Sequence, residues 1–385
     1  MSVLRYGILG YGSMGTSHSM WLYKGARVPE STVTAVCDIN PERLKAAKEK
    51  MPDIEVYDNA EEFFEKGNFD CVIIAVPHYF HPTYAIEAFR HGKHVMCEKP
   101  AGVYTSQIQE MIDESKKHPE LSFAMMFNQR ANPLYKRLKD ILDRKEIGEL
   151  RRINWLITTW WRTQVYYDSS SWRATWGEEG GGVLVNQAPH QLDLIQWLFG
   201  LPSTVHSFIK YGSHRDILVD DDVTAYFEYP NGCTGTLITC TFDPLGTDRL
   251  EILGDEGKII VENSSKVIVR KLMKNEEVYN RTLGFRDMMA LVHGQTAEKL
   301  YDEYSFEEPE HWDIQHIDTL INFTNNILHG EKLISQGEEG INAVQLANAM
   351  YLSSWTGSDA KIPVDAVLFK KLLDERIEEE KKAKK

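Results

Sequence analysis

The amino-acid sequence predicts an α/β protein: a doubly wound parallel sheet at the N-terminus, then a second α/β domain with an open, mostly antiparallel sheet. Two observations support this prediction. Apolar strand-like runs alternate with helical patterns through the first third of the chain, which is typical of a parallel sheet with helices on both faces. From Arg151 onward, strand-like runs dominate instead. We therefore expect two domains, residues 1–127 and 128–385.

The chain begins with an apolar run that ends in a glycine-rich turn. Residues 6–15 read YGILGYGSMG, and a helix-compatible run follows. In this spacing the first glycine permits a tight turn, the second lets the backbone approach a pyrophosphate, and the third lets the helix pack on the strand. The pattern predicts a Rossmann dinucleotide-binding domain, whose cofactor contacts here are Gly10, Gly12, Ser13, Met14 and Gly15.

An acidic residue follows the second predicted strand, residues 32–37. Asp38 lies 38 − 15 = 23 residues after the last glycine of the turn, where an acid hydrogen-bonds the adenosine ribose. A carboxylate at this place repels a 2′-phosphate, so the sequence favours NAD over NADP. Arg43 lies nearby and weakens that preference. We expect both side chains at the cofactor.

Further strands are predicted at residues 69–76, 94–97 and 121–127, with helices at 40–51 and 82–91. Ligands bind at the carboxyl ends of strands in such sheets. The residues at these ends, which we expect to line the cofactor crevice, are Pro77, His78, His81, Glu98, Lys99 and Asn128. His78 and His81 lack a neighbouring cysteine or carboxylate to complete a metal site, so we predict no metal.

Lys99 stands at the end of an apolar run, in the sequence Glu98-Lys99-Pro100. Burial lowers the pKa of a lysine and allows it to exchange protons near neutral pH. On this stretch alone, an ion pair between Glu98 and Lys99 that caps the strand is an equal alternative.

The second domain is predicted to contain strands at residues 151–161, 204–211, 223–229, 233–242, 249–253, 258–262 and 266–271. Residues 230–232, Pro-Asn-Gly, form a hairpin turn. Helices are predicted at 133–145, 315–328 and 341–355, and the charged run 376–385 is a solvated helix end. One face of the open sheet packs on helices, and the other is free to form a homodimer or homotetramer interface.

Five of the nine tryptophans lie between residues 155 and 176. Flat aromatic faces beside arginine, glutamine and asparagine suit a sugar, which has apolar C–H faces and many hydroxyls. We expect Trp155 and Trp160 in the core, and Trp161 and Arg162 at the cofactor. The predicted substrate contacts in and after this segment are Tyr167, Trp172, Arg173, Asn186, Gln187 and His190.

His190 follows a Gly-Gly-Gly turn and lies in the first turn of a helix that Pro189 begins. The positive end of the helix disfavours an imidazolium, so His190 is expected to be neutral and able to accept a proton. Asp193 lies on the same side of the helix. It either orients the imidazole or is simply a favourable first-turn acid.

The composition excludes several classes of partner. A formal net charge of −14 argues against nucleic acid or anionic membrane as a partner. No signal-peptide pattern and no run long enough to span a membrane are present in the sequence. Five cysteines without CxxC spacing predict reduced thiols in a cytoplasmic protein.

Together these motifs resemble the glucose-fructose oxidoreductase / inositol dehydrogenase / MocA family, Gfo/Idh/MocA. The shared features are GYGSMG, Asp38, Val76-Pro77 with His81, the run into Glu98-Lys99-Pro100, and the glycine turn before His190-x-x-Asp193. The resemblance implies a Rossmann domain plus an open-sheet domain, with Lys99 beside the nicotinamide. Many polyol-oxidising members carry an aspartate where this chain has Asn186. The pattern NQ-x-PH-x-x-D is similar to members that act on glucosides and anhydrosugars, often at C3.

The main hypothesis is an NAD-dependent dehydrogenase that oxidises a secondary hydroxyl of a sugar, glycoside or polyol to a ketone. In it His190 is the general base, Lys99 holds the hydroxyl oxygen and Asn186 orients the substrate. Two alternatives stay open. One is an NAD-dependent glycosidase or isomerase with transient hydride transfer, and the other is a non-catalytic NAD(P)-binding sensor.

Overall fold

The computed structural model describes residues 3–309 and 312–383. In this part of the chain the strands are β1 (Leu4–Leu9), β2 (Ser31–Cys37), β3 (Glu55–Tyr57), β4 (Cys71–Ile74), β5 (His94–Cys97), β6 (Phe123–Met125), β7 (Leu150–Ile157), β8 (Thr204–Tyr211), β9 (Asp220–Glu228), β10 (Thr234–Cys240), β11 (Asp248–Gly254), β12 (Gly257–Glu262), β13 (Lys266–Leu272), β14 (Tyr301–Glu307) and β15 (Ala360–Lys361).

The α-helices of the same ranges are α1 (Ser13–Leu22), α2 (Pro41–Lys50), α3 (Ala60–Lys66), α4 (Phe80–Arg90), α5 (Thr105–Ser115), α6 (Pro133–Asp143), α7 (Gln164–Asp168), α8 (Val183–Asn186), α9 (Pro189–Phe199), α10 (Glu276–Thr282), α11 (Phe285–Val292), α12 (Trp312–His329), α13 (Gly340–Thr356) and α14 (Ala366–Ala383). Short 3₁₀ turns lie at Tyr23–Gly25, Asn128–Ala131 and Gly337–Glu339. The last two residues of the predicted charged helix end, 384–385, lie outside the described residues.

The first sheet has six parallel strands in the order β3-β2-β1-β4-β5-β6. This is the strand order of the Rossmann fold, and it confirms the predicted parallel domain. The chain reverses its direction of travel across the sheet between β1 and β4, so the carboxyl ends of β1, β4 and β5 border one crevice. The sequence did not reveal β3, because Glu55–Tyr57 is a short edge strand that is mostly exposed.

The second sheet has nine strands in the order β14-β13-β12-β11-β7-β10-β9-β8-β15. All pairs are antiparallel except β7 with β10, which confirms the predicted open, mostly antiparallel sheet. Two edge strands were not predicted. Tyr301–Glu307 is acidic and almost wholly exposed, so it lacks the alternation of a half-buried strand, and Ala360–Lys361 is only two residues long.

Helices cover one face of the second sheet. Helix α13 packs on β8 and α8 packs on β9. Along β9, Val223, Ala225 and Phe227 are buried, whereas Thr224 and Tyr226 are exposed. This alternation fits an antiparallel sheet with one packed face.

Helix α12 comes from the C-terminal half of the chain but packs on the first sheet. The ring centroids of Phe323 and Tyr6 lie 6.3 Å apart, and the hydroxyls of Tyr6 and Thr324 are 2.7 Å apart. Ile317 and Leu320 belong to the same buried cluster. The two parts of the chain therefore share a core, and the boundary between residues 127 and 128 stays a prediction.

Two further observations concern partners and redox state. No helix within residues 3–309 and 312–383 is long and apolar enough to cross a membrane. The five cysteines are buried and free: Cys37, Cys71, Cys97, Cys233 and Cys240.

Candidate active site

The turn between β1 and α1 has no room for side chains at two of its glycines. Gly10 has φ +94°, and a Cβ there would lie 2.4 Å from the carbonyl oxygen of Ala75. A Cβ on Gly15 would lie 1.9 Å from the carbonyl oxygen of Gly10. The described residues leave the space beside Gly12 open to 4 Å. Ser13 and Met14 then begin α1, so the free N–H groups of the helix end border this opening.

Asp38 lies at the end of β2 beside this turn, with its carboxylate held by three donors. Oδ2 accepts from the Tyr11 amide at 2.7 Å, and Oδ1 accepts from the Asn40 amide at 2.8 Å. The Arg43 guanidinium donates to Oδ2 at 3.3 Å. The structure thus brings Gly12, Asp38 and Arg43 to one end of the crevice, where the sequence predicted an adenosine ribose.

His78 and His81 follow β4 and Pro77, and both are buried. His81 bridges two strand ends, because its Nδ1 lies 2.7 Å from the carbonyl oxygen of Pro100 and its Nε2 lies 2.7 Å from that of Val76. His78 Nδ1 donates to the carbonyl oxygen of Glu179 at 2.9 Å. Burial holds the pKa of His78 well below its usual value, so it is neutral. Their contacts with the cofactor stay predictions.

Glu98 forms its ion pair with a residue that the sequence did not single out. His18 Nε2 lies 2.6 Å from Glu98 Oε1. Burial alone would raise the pKa of Glu98, but the hydrogen bond from His18 and the charges of His18, His316 and Lys99 lower it to about 2. The ionised carboxylate therefore pairs with α1 and leaves the Lys99 ammonium for other partners, so the alternative of a Glu98–Lys99 cap is wrong.

Lys99 reaches from the end of β5 to the second domain. Its Nζ donates to the carbonyl oxygen of Asn186 at 2.9 Å. Burial lowers the pKa of Lys99, while the carboxylates of Glu98 and Glu179 oppose that shift. The amine is thus held in a defined position, with its proton affinity reduced.

His190 lies in the first turn of α9, 5% exposed. Burial and the neighbouring Lys99 charge hold its pKa well below the usual value, so the imidazole is neutral, as the helix position predicted. Its Nδ1 is buried and has no hydrogen-bond partner within the described ranges. The Trp312 ring packs edge-on against it, with centroids 5.2 Å apart.

The suggestion that Asp193 orients His190 is wrong. Both Asp193 oxygens accept from the guanidinium of Arg130, at 2.9 Å from Nε and 2.6 Å from Nη2. Both partners are fully buried. Asp193 therefore ties α9 to the 3₁₀ turn after β6, and it is not available to the imidazole.

Asn186 ends the short helix α8, and its side-chain amide donates to the carboxylate of Glu179. The other oxygen of Glu179 accepts from the backbone amide of Ala174. Burial raises the pKa of Glu179 to about 7, against the hydrogen bonds from Ala174 and Asn186. The side chain of Asn186 is therefore hydrogen-bonded directly to an ionisable carboxyl, that of Glu179.

The predicted substrate residues form an aromatic and cationic wall beside Lys99. Arg173 donates to the Tyr166 hydroxyl at 2.7 Å, and its guanidinium lies 4.9 Å from the centroid of Trp172. Gln187 donates to the same hydroxyl at 3.3 Å. The Trp172 ring contacts His78 edge-on, with centroids 5.8 Å apart. Side chains that stack and side chains that donate hydrogen bonds thus face one space.

Four other predicted residues differ in their surroundings. Tyr167 is buried, and its hydroxyl donates to Thr241 at 3.0 Å, toward the second sheet. Trp161 is 48% exposed, and Arg162 donates to its carbonyl oxygen at 3.0 Å. Asn128 is buried, and its Oδ1 has no partner among the described residues. Their ligand contacts stay predictions.

Comparison with protein-family models assigns both halves of the chain. Residues 4–125 match the model described as an oxidoreductase family with an NAD-binding Rossmann fold. Residues 135–260 match the GFO/IDH/MocA C-terminal domain. The chain belongs to the Gfo/Idh/MocA oxidoreductase family. The predicted family, the oxidoreductase class and NAD as cofactor are confirmed.

Relatives within the Gfo/Idh/MocA family match most of the chain at low identity. Myo-inositol 2-dehydrogenase of Thermotoga maritima is 24% identical over 90% of this chain and 95% of its own length. D-glucoside 3-dehydrogenase of Escherichia coli is 24% identical over 94% of this chain and 98% of its own. The solved structure of the WlbA dehydrogenase of Bordetella pertussis, in complex with NADH and UDP-GlcNAcA, is similar with a TM-score of 0.76 and 24% identity. The match covers 94% of this chain and 100% of the WlbA chain.

The residues present fit the dinucleotide of a Gfo/Idh/MocA protein. The opening beside Gly12 admits a close backbone approach, and Asp38 lies at the end of β2 where the sequence predicted the ribose contact. The Oδ1 of Asn128, just after β6, has no partner in the part of the chain that the structure describes. The contacts that sequence reasoning missed are His18, Glu179, Trp312 and His316. The ring centroids of Trp312 and His316 lie 5.0 Å apart on α12. The four-residue spacing of Trp312 and His316, which places them on one face of a helix, was the only signal in the sequence. They reach the crevice because α12 packs on the first sheet.

Proposed function

We propose that this protein is an NAD-dependent dehydrogenase that oxidises a secondary hydroxyl of a sugar, glycoside or polyol to a ketone. The observation that supports it is the convergence of an anchored lysine and a neutral histidine. Lys99 comes from the first sheet and is held on the carbonyl of Asn186, and His190 comes from the helix that follows. The charge of Lys99 contributes to the low pKa of His190, which requires that the two side chains lie close together.

Each side chain has a task in the proposed reaction. NAD, held by the glycine turn and Asp38, would supply the acceptor for the hydride of the carbinol carbon. The hydroxyl proton passes to His190, whose Nε2 is the candidate acceptor because Nδ1 is buried. The Lys99 ammonium donates a hydrogen bond to the substrate oxygen and stabilises the developing alkoxide. Asn186 orients the substrate, and Arg173, Trp172 and Gln187 contact the rest of the ligand.

The preferred substrate class follows from the pattern around His190 and from the relatives' names. Residues 186–193, which read NQAPHQLD, resemble family members that act on glucosides and anhydrosugars. One relative is named for oxidation of D-glucosides at position 3. We therefore propose the C3 hydroxyl of a glucoside as the first target. The stacked Trp172 and Arg173 beside Lys99 suit a pyranose ring.

The test is an NADH-formation screen across inositols, aldoses, glucosides and anhydrosugars, with NADP in parallel. We expect a glucoside or anhydrosugar to give the highest kcat/KM, with NAD preferred. Turnover that consumes a glycoside without net NADH would favour the glycosidase or isomerase alternative. Tight NADH binding without reduction by any compound would favour the sensor.

A further inference from the structure

Glu179 is a buried carboxyl that the reaction described above does not use. It is 1% exposed, and its backbone carbonyl fixes His78. Within residues 3–309 and 312–383 it forms no ion pair, because no lysine or arginine nitrogen lies within 4.0 Å of it. Its oxygens face two nitrogen donors instead, the backbone amide of Ala174 and the side chain of Asn186. A carboxyl in such a place needs an explanation beyond packing.

The two hydrogen bonds of Glu179 constrain the amide of Asn186. The Ala174 N–H can only donate, so the oxygen that faces it is always an acceptor. If Glu179 is ionised, the other oxygen also accepts, and Asn186 must present its NH₂ group. If Glu179 is protonated on that second oxygen, its O–H donates, and Asn186 can accept this proton only by presenting Oδ1. The protonation of Glu179 therefore sets which way the amide points.

We propose that Glu179 is a positioning residue that selects which atom of the Asn186 amide faces the substrate, according to its own protonation. This rests on the dehydrogenase function proposed above. With ionised Glu179, Asn186 turns Oδ1 toward the crevice, where it accepts from the substrate hydroxyl or the Lys99 ammonium. With protonated Glu179, Asn186 turns its NH₂ group there, and two donors then compete for the same substrate oxygen.

The surroundings of Glu179 make this switch operate near neutral pH. Lys99 and Arg173 favour its ionised form, while burial opposes it, so the pKa is raised to about 7. Tyr167 and His78 are the other titratable groups that face it, and both are neutral near pH 7 because burial shifts their pKa values away from it. Ionised Glu179 also raises the pKa of Lys99 and so favours the ammonium that the reaction needs.

The decisive comparison uses Glu179→Gln, with Glu178→Gln as the matched control at the exposed neighbouring position. In wild type and E178Q, kcat should rise about tenfold from pH 6 to pH 8. The reason is that the ionised fraction of Glu179 rises by about this factor between one pH unit below and one pH unit above its pKa. In E179Q the introduced amide accepts from Ala174 with its oxygen and donates to Asn186 with its NH₂ group, which copies the protonated state. E179Q should therefore stay at the low-pH rate. If E179Q keeps the rise, the proposal is wrong.

A second measurement needs no known substrate, and its first signal comes from the wild-type protein. The side-chain amide NMR signals of Asn186 in the wild-type NADH complex should shift through a transition near pH 7, because the amide exchanges its two orientations. Infrared difference spectra should show a carboxyl that titrates in the same range, lost in E179Q and kept in E178Q. A pH-independent Asn186 signal overturns the proposal. Failure of the sugar screen alone counts against the dehydrogenase function and not against this switch.

Discussion

His18 and His190 are both buried in the crevice, but their partners give them different roles. His18 is paired with the ionised Glu98, so its Nε2 is already engaged by that carboxylate. His190 is neutral, its pKa is held low, and its Nδ1 has no hydrogen-bond partner among the described residues. Because no carboxylate occupies the imidazole of His190, it is the stronger candidate of the two for a proton acceptor.

Removal of either proposed catalytic side chain should abolish most turnover without loss of cofactor binding. A positioned acid or base contributes about 10²- to 10⁴-fold, so Lys99→Met and His190→Ala should each lower kcat by about that factor. NADH fluorescence titration should give an unchanged Kd. Lys116→Met and His206→Ala alter more exposed positions as controls and should keep wild-type rates. A variant at position 99 or 190 with wild-type kcat would remove that residue from the mechanism.

Asp38 should control the choice between NAD and NADP. Asp38→Asn removes the charge that repels a 2′-phosphate, while Arg43, whose Nη1 lies 3.3 Å from Asp38 Oδ2, stays available to bind that phosphate. A hydrogen bond to a charged group contributes about 1.5–3 kcal/mol, so the ratio of kcat/KM for NAD to that for NADP should fall at least about tenfold. Asp113→Asn, on the exposed face of α5, is the control. An unchanged ratio would mean that residues other than Asp38 distinguish NAD from NADP.

The raised pKa of Glu179 also predicts how stability depends on pH. Its pKa is raised from 4.5 to about 7 in the folded protein. Between these values the folded protein holds a proton that the unfolded chain has released, so this residue's contribution to stability is complete below pH 4.5 and is lost as pH rises through 7. The difference amounts to about 3 kcal/mol.

The measurement is urea unfolding of wild type, E179Q and E178Q at pH 5, 6, 7 and 8. Relative to wild type, E179Q should gain stability progressively as pH rises, and E178Q should not. Parallel curves for wild type and E179Q would show that the carboxyl does not titrate in this range.

At the level of elements, a buried ion pair joins the 3₁₀ turn that follows the first sheet to helix α9. Arg130, in the 3₁₀ turn after β6, binds Asp193 of α9 and also the carboxylate of Glu339. Removal of one partner of a buried pair leaves the other charge uncompensated and costs about 3–5 kcal/mol. Arg130→Ala should therefore lower the free energy of unfolding by about that amount. Arg144→Ala, on an exposed turn, should change it by less than about 0.5 kcal/mol.

The elements show which parts of this fold a sequence reveals. The glycine turn, Asp38 and the start of α9 were predicted because their signals are local: Gly10 needs its positive φ, and Pro189 fits a first helical position. Capping also marked helix starts, since the Asn40 side chain accepts from the Glu42 amide at 2.9 Å. The strands β3 and β15 have two or three residues and carry too little pattern to be recognised.

The missed features depend on contacts between distant segments. Helical spacing made Asp193 a reasonable partner for His190. In the structure Asp193 instead accepts from Arg130, which lies 63 residues away in sequence. Trp312 and His316 reach the crevice only because α12 packs on the first sheet. Glu179 belongs to the run GEEGGG, but nothing in the local sequence distinguishes this buried residue from the exposed Glu178.

At the scale of the whole molecule, the open face of the second sheet carries an apolar strip. Phe208 of β8 is 71% exposed, and the strand register continues this row through Thr224 to Ile238 and Leu156. A regular, exposed apolar row on a nine-stranded sheet fits a self-complementary contact between two copies of the chain. We propose this face as the homo-oligomer interface.

Introduction of charge into the strip provides the test. Ile238→Lys and Leu156→Lys together should lower the mass of the proposed oligomer in size-exclusion chromatography with light scattering, because two lysines desolvated in each copy's interface oppose association. Val367→Lys, at an 83% exposed apolar position on α14, is the control and should leave the mass unchanged. If the wild type is a monomer, the proposed interface does not exist. If the double variant keeps the wild-type mass, the interface lies elsewhere.

The parallel pairing of β7 with β10 has a consequence for how substrate preference is encoded. Neighbouring parallel strands cannot be joined by a hairpin, so the chain must leave the sheet after Ile157 and return by a long path. The first part of that path, residues 158–203, contains every proposed substrate contact except Lys99. The proposed substrate contacts other than Lys99 thus lie in one contiguous stretch, which also carries the proposed general base His190. We expect an exchange of residues 163–203 between relatives that keep this histidine to transfer the donor's substrate preference, because the glycine turn, Asp38 and Lys99 stay unchanged.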